Sequence, residues 1–322
     1  MSTRTESAPV LAARLVAGER RAVAEALTRL EQGGSDAGEL LASLLPHLGN
    51  ALVAGLTGPP GAGKSTLANA LIVEARSSGR RVAVLAVDPS SPVSGGAILG
   101  DRIRMVTAST DDGVMVRSLG SRGALGGLTP AAVRMIDALD AAGFGLILIE
   151  TVGTGQNEID VAEIADVVMV VSAPGLGDGI QAMKAGLIEI ADVLVVNKAD
   201  REGADRTVAD LEAALSLRAG RPGERPEVPV VKTSAATGLG VAGLWRLVAE
   251  RGAARQAEGL VSRRRRRARY LIARAAAEII ARRVREGTAS TDELADGVLA
   301  GRLDPAEAAR RLLADRGGSG GA

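Results

Sequence analysis

Gly58-Pro59-Pro60-Gly61-Ala62-Gly63-Lys64-Ser65 is the stretch that decides the fold. It fits G-x-x-x-x-G-K-[ST], the phosphate-binding loop of nucleoside triphosphatases. Glycines let the backbone curl until successive N–H groups point inward at anionic oxygens. Lys64 adds a point charge for the β- and γ-phosphates, and the Ser65 hydroxyl suits Mg²⁺. Gly58, Pro60, Gly61, Ala62, Gly63 and Thr66 are expected to line the rest of the cradle. Before the loop, residues 51–57 form a short apolar run that reads as a buried strand. After it, residues 66–72 favour a helix whose N-terminus faces the phosphates.

Outward from this loop the pattern alternates. Strands are expected at 51–57, 81–87, 114–117, 146–149, 167–171, 193–196 and 228–231. Helices are expected at 101–108, 129–142, 156–164, 180–191 and 206–217. Strands that are apolar on both faces and alternate with helices argue for an α/β fold, a doubly wound, mainly parallel sheet. The nucleotide domain is expected over 49–252. It closes with a helix from Val241 to about Gly252, in which Trp245 is a packing anchor. Ahead of it, 1–48 read as a helical segment outside the nucleotide core. The first ten residues look disordered, a helix spans 11–32, Gly33-Gly34 breaks it, and Ser35 or Asp36 caps a second helix reaching about Leu45. His47 beside Pro46 reads as structural.

Residues 253–322 read as a C-terminal helical arm with a flexible tail from Gly317. Its segment 263–286 holds ten arginines against two glutamates. Leu271, Ala275 and Ile279 form one apolar row, and Ile272, Ala276, Ile280 and Val284 the next, so the helix has one sticky face. One reading is contact with nucleic acid or acidic lipid. The other is a solvated face on a helix that packs against a partner subunit. Only Tyr270 is available to stack a base, which favours the second. Two short helices are expected after it, with Ser290 or Thr291 and Asp304-Pro305 as start signals.

Composition narrows the chemistry. The chain has 322 residues, 46% of them hydrophobic, with one Phe, one Tyr and one Trp, so the core must be Ala, Val, Leu and Ile. With no cysteine, disulfides, thiolate metal sites and thiol nucleophiles are excluded. Net charge is +1, without global bias toward nucleic acid or membrane. No apolar run reaches transmembrane length and the N-terminus lacks a signal core, so a cytoplasmic protein is expected.

Four features join the phosphate loop. Asn197-Lys198-Ala199-Asp200 ends an expected strand and fits N-K-x-D. The Asp200 carboxylate would accept from guanine N1–H and the 2-amino group, donors that adenine lacks. Glu150-Thr151-Val152-Gly153 ends another strand, where a GTPase usually has D-x-x-G. Glu150 would hold Mg²⁺ through water, the Gly153 N–H would touch the γ-phosphate, and Gln156 could orient the attacking water. Asp88, at the end of the second strand, is well placed for Mg²⁺. Asp101, after the glycines of 94–100, is either a second metal ligand or a helix cap. Ser234 and Ala235, in Thr233-Ser234-Ala235, would support the guanine edge through their backbone.

Together, Gly58–Ser65, Val87-Asp88-Pro89-Ser90-Ser91, Gly95-Gly96-Ala97-Ile98-Leu99-Gly100-Asp101-Arg102, Glu150-Thr151-Val152-Gly153-Thr154-Gly155-Gln156 and the N-K-x-D run resemble the MeaB/ArgK family of P-loop GTPases. These are G-protein chaperones of adenosylcobalamin-dependent methylmalonyl-CoA mutase, and the resemblance covers nearly the whole chain. It implies GTP/GDP as ligands and Mg²⁺ near Ser65, Asp88, Asp101 and Glu150. It implies a homodimer held partly by C-terminal helices, and an adenosylcobalamin-dependent acyl-CoA mutase as partner. A mobile loop at 174–181 would couple GTP to that mutase; Gly179 stands there where an acidic residue is expected. Catalysis would rest on Lys64, Glu150 and Gln156. Alternatives are a small-molecule kinase or transport-linked ATPase, a metallochaperone GTPase, and a basic nucleic-acid-binding GTPase.

Overall fold

The computed structural model describes residues 6–89, 111–121, 130–151, 157–176, 186–218 and 227–314. The chain forms two compact units, Met1–Ala268 and Arg269–Ala322.

The first unit opens with helices α1 (Ala8–Val16), α2 (Arg20–Gln32) and α3 (Ser35–Leu44). The expected single helix over 11–32 is two. Gly18 takes a left-handed φ of 80°, which a helix interior does not tolerate. Its N–H and that of Glu19 fold back on Leu15 O and Arg14 O at 2.8 and 3.1 Å and close α1. The expected disorder of the first ten residues also gives way, since α1 starts at Ala8 with a proline in its first turn, where a fixed φ and a missing N–H cost nothing. Leu11, Leu15, Val23, Leu27, Leu30 and Leu40 are fully buried among these helices.

The nucleotide domain follows as β1 (Leu52–Thr57), α4 (Lys64–Ser77), β2 (Val82–Pro89), β3 (Val114–Ser121), α5 (Pro130–Ala141), β4 (Leu146–Thr151), α6 (Asn157–Ile164) and β5 (Val167–Ser172). It continues with α7 (Leu187–Ile190), β6 (Val193–Val196), α8 (Ala204–Arg218), β7 (Val230–Lys232) and α9 (Val241–Ala257). Among the described residues the sheet has seven strands in the order β3-β2-β4-β1-β5-β6-β7, and every pairing is parallel. Such a sheet needs cover on both faces. Leu52, Ala54, Leu56, Leu148, Met169 and Val171 turn to the face under α4 and α9. There Trp245 of α9 is buried, with the Arg80 guanidinium 5.5 Å from its ring centre. Alternate residues turn to the other face, where α6 approaches so closely that a Cβ on Gly55 would lie 2.5 Å from Val161 Cγ2.

Strand boundaries run a few residues beyond the expected ones in β2 and β3, and β7 begins after Pro229, which has no N–H for the ladder. Of the helix expected over 180–191, the described part is α7 alone. The helix expected over 101–108 lies outside the described residues. β1 is placed by a carboxylate on α5: Asp140 accepts the N–H groups of Gly49, Asn50 and Ala51 at 2.7–2.9 Å. The α2 helix docks on α5, where Arg134 donates twice to Leu30 O at 2.9 and 3.0 Å.

The helix α10 (Leu260–Glu286) spans the boundary between the units. At two arginines of its run the structure departs from both sequence readings. Arg263 and Arg267 are neither a nucleic-acid surface nor a solvated face: they are buried against Asp166, whose side chain is fully withdrawn from solvent. Arg265 is exposed.

In the second unit, the remainder of α10 is followed by α11 (Ala289–Leu299) and α12 (Pro305–Ala314). The start signal of α11 is Thr288, not Ser290 or Thr291. Its hydroxyl accepts the Thr291 N–H at 3.2 Å, and Thr291 Oγ1 accepts the Thr288 N–H in return, a capping box. Asp304 precedes α12 as expected and accepts the Ala306 N–H at 2.8 Å. Tyr270 and Leu312 are buried, while Ile272, Ile279 and Val284 of the apolar rows are exposed.

Candidate nucleotide site

The site lies at the carboxyl ends of β1, β4 and β6, with β1 flanked by β4 and β5. In a doubly wound sheet this edge is where ligands bind. The loop 58–63 turns on three left-handed glycines, Gly58, Gly61 and Gly63, with φ of 136°, 79° and 88°. A side chain at Gly58 would meet Val171 O at 2.1 Å, and one at Gly63 would meet Asn197 Nδ2 at 2.6 Å. At these two glycines the loop therefore has room for backbone only, pressed by β5 and by the N-K-x-D turn.

Lys64 opens α4 and is buried; its ammonium donates to Gly58 O at 2.7 Å and Pro59 O at 3.1 Å. Its charge thus sits inside the mouth of the loop. The next residue, Ser65, donates its hydroxyl to Glu150 Oε1 at 2.6 Å across the gap between α4 and β4. Glu150 is buried at the end of β4. A hydroxyl and a carboxylate in contact form a hard, oxygen-only donor pair of the kind Mg²⁺ prefers. The carboxylate of Asp88, on β2, and the whole of Asp101 lie outside the described residues, as do Gly153, Gln156 and 177–181 of the proposed coupling loop.

The N-K-x-D turn clasps the same loop. Asn197 Nδ2 donates to Ala62 O at 3.0 Å and Gly63 O at 3.3 Å, while its Oδ1 accepts the Ala235 N–H at 3.1 Å and the Thr233 hydroxyl at 3.3 Å. Lys198 donates to Gly61 O at 2.7 Å. Its backbone has a φ of 57°, alone among the described non-glycine residues in the left-handed region. That conformation costs about 1–2 kcal/mol for an L-residue and marks a position over-determined by its surroundings. Asp200 is exposed, and the Ser234 hydroxyl bound to it holds its carboxyl below the ordinary range. Pro60 and Thr66 stand in the loop and in the first turn of α4.

Three features have no sequence signal of their own. A buried hydroxyl pair, Thr151 to Thr57 at 3.0 Å, ties the end of β4 to the root of the phosphate loop. Ser234 contributes a side chain where only its backbone was expected. Glu158, in the first turn of α6, is half-buried; burial raises its carboxyl and the nearby Lys64 charge partly offsets this.

A family model described as methylmalonyl Co-A mutase-associated GTPase MeaB matches residues 23–289. The chain belongs to the MeaB family. A protein of Pyrococcus horikoshii carrying a provisional GTPase name is 47% identical over 304 residues, 93% of this chain and 95% of the relative. The methylmalonic aciduria type A homolog, mitochondrial, of Mus musculus is 38% identical over 248 residues, 72% of this chain and 60% of its own. Among solved structures, a LAO/AO transport system kinase matches with a TM-score of 0.75 and 25% identity, over 98% of this chain and 99% of that one. As a MeaB-family member with a P-loop GTPase fold, the chain is a guanine-nucleotide enzyme that hydrolyses GTP. Among the described residues, no helix is long and apolar enough to cross a membrane.

Proposed function

We propose that this MeaB-family GTPase is a G-protein chaperone for an adenosylcobalamin-dependent acyl-CoA mutase, methylmalonyl-CoA mutase first among them. It would gate cofactor loading and protect the mutase. The observation that carries the proposal is the family match over 23–289. The mitochondrial mouse relative, named for methylmalonic aciduria, supports the same direction.

In this reading Lys64 leaves the carbonyls of Gly58 and Pro59 for the β- and γ-phosphate oxygens, and the loop N–H groups take the rest of the charge. Asp200 reads guanine, with Asn197 and Lys198 holding the loop and Ser234 and Ala235 at the base edge. Ser65, Glu150, Asp88 and Asp101 would hold Mg²⁺, which would supply positive charge against the phosphates. Gly153 would meet the γ-phosphate and Gln156 would orient the attacking water. The chain acts as a homodimer in which the exposed face of Ile272, Ile279 and Val284 takes part, in the cytoplasm.

The test measures GTP turnover with and without apo-mutase, and mutase affinity in GDP and in a non-hydrolysable GTP analogue. A mutase that favours the transition-state arrangement speeds hydrolysis, and linkage requires nucleotide state to change its affinity by the matching factor. If every acyl-CoA mutase tested leaves both unmoved, the chaperone role fails and the GTPase stands. Equal affinity for ATP and GTP would favour the kinase reading instead.

A further inference from the structure

The α6 helix is eight residues long, too short to persist on local hydrogen bonds. It is held from outside at two points. On its flank, Val161 fills the space that a Cβ on Gly55 would need. At its C-terminal end, where a helix leaves carbonyls without intrahelical partners, the donors come from α10, about a hundred residues further along the chain. Arg267 Nε donates to Ile164 O at 2.8 Å, and Arg266 donates to Ala165 O at 3.0 Å. Asp166 then takes Arg263 at 3.2 Å and Arg267 at 3.5 Å, and accepts the Val53 N–H of β1 at 3.0 Å. Guanidinium groups at this end also complement the helix dipole. The strand that α6 packs on is β1, which runs from Val53 through Gly55 directly into the phosphate loop at Gly58.

We propose that Arg263, Arg266 and Arg267 are positioning residues for GTP hydrolysis: by capping α6 and gripping Asp166, they fix the helix and, through it, the strand that leads into the phosphate loop. None of them touches the nucleotide loop. They act through α6 and Asp166 on β1, and a shift of that strand at Val53 or Gly55 would move the phosphate loop that follows it. The inference rests on the reading of Lys64 as the phosphate-binding lysine.

The test is steady-state GTP turnover by the full chain carrying Arg267→Ala, Arg266→Ala or Arg265→Ala, with Lys64→Ala in parallel. Arg265 is exposed in the same run and controls for loss of charge. We expect kcat to fall roughly tenfold in the first two variants, within the range that a small displacement remote from the chemistry produces. KM for GTP should move less than about twofold, since ground-state contacts are untouched. Arg265→Ala should match the wild type. Wild-type kcat in Arg266→Ala and Arg267→Ala, with melts cooperative above the assay temperature, would reduce the arginines to a stabilising role and overturn the proposal. An equal loss in Arg265→Ala would overturn it too. If Arg267→Ala does not fold, the half-buried Arg266→Ala decides. Turnover that survives Lys64→Ala would mean the site itself is misplaced, a separate failure.

Discussion

Lys64 and Asp200 carry opposite lessons about single residues. Lys64 was legible because a contiguous motif fixes backbone and side chain together. Replacing it by alanine should lower kcat by about 10²–10³, the usual loss when one donor to developing charge is removed. The fold should survive, because Lys64 is a ligand contact on a preformed loop whose bonds to Gly58 O and Pro59 O are local; a thermal melt beside the turnover assay checks both. Asp200 was legible too, but its partner Ser234 was not, since 34 positions separate them in sequence and only the fold joins them. The Ser234 hydroxyl holds the Asp200 carboxyl below its ordinary value of 3.8. With the folded value depressed, the ionised form that the proposed guanine contact needs is complete above the ordinary carboxylate range and is lost only as pH falls through the lower folded value. In Ser234→Ala, GTP affinity should begin to fail at a higher pH than in the wild type, as a titration of nucleotide binding would show. Glu158 has the opposite sign, its folded value being raised mainly by burial. It destabilises the fold as pH rises through that range, so Glu158→Gln should melt higher than wild type at neutral pH and equally in acid.

At the scale of elements, alternation of apolar runs made all seven strands findable, with β1, β5 and β6 bounded to within a residue, because a doubly covered parallel strand has no polar face to confuse it. The N-terminal helices were harder. Leu15, Val16, Val23, Ala26, Leu27 and Leu30 fit one helical face, and the pattern runs through Gly18 as if it were absent. A glycine inside a periodic stretch carries no sign of its φ, which the packing of α1 on α3 decides. The seat of α6 was likewise invisible, since it depends on what Gly55 lacks. Gly55→Ala should cost about 1–3 kcal/mol, as overpacking does, because its Cβ would stand 2.5 Å from Val161 Cγ2 and 3.4 Å from Ala165 Cβ. Adding Val161→Ala should return most of that loss, whereas Val161→Ala alone should destabilise by leaving a void. A double-mutant cycle by denaturant titration measures the coupling.

At the scale of the molecule, the arginine run was the largest surprise, because composition reports charge and not what charge faces. Three arginines converge on one carboxylate with no solvent access. Removing it in Asp166→Ala should cost about 3–5 kcal/mol, the usual penalty for stranding buried charge. It follows that a chain cut at Gly252 loses this grip and one cut at Ala268 keeps it. If the C-terminal helices hold a homodimer, the chain ending at Ala268 should scatter light as a folded monomer; a dimer would place the interface elsewhere. The scarcity of aromatic residues gives these experiments their readout. Trp245 is the only indole and sits in the first unit against the face of α4, and Tyr270 is the only phenol and belongs to the second. Each unit therefore carries its own ultraviolet chromophore: indole emission follows the melting of the nucleotide domain, and phenol emission follows the arm, without a label or an introduced residue.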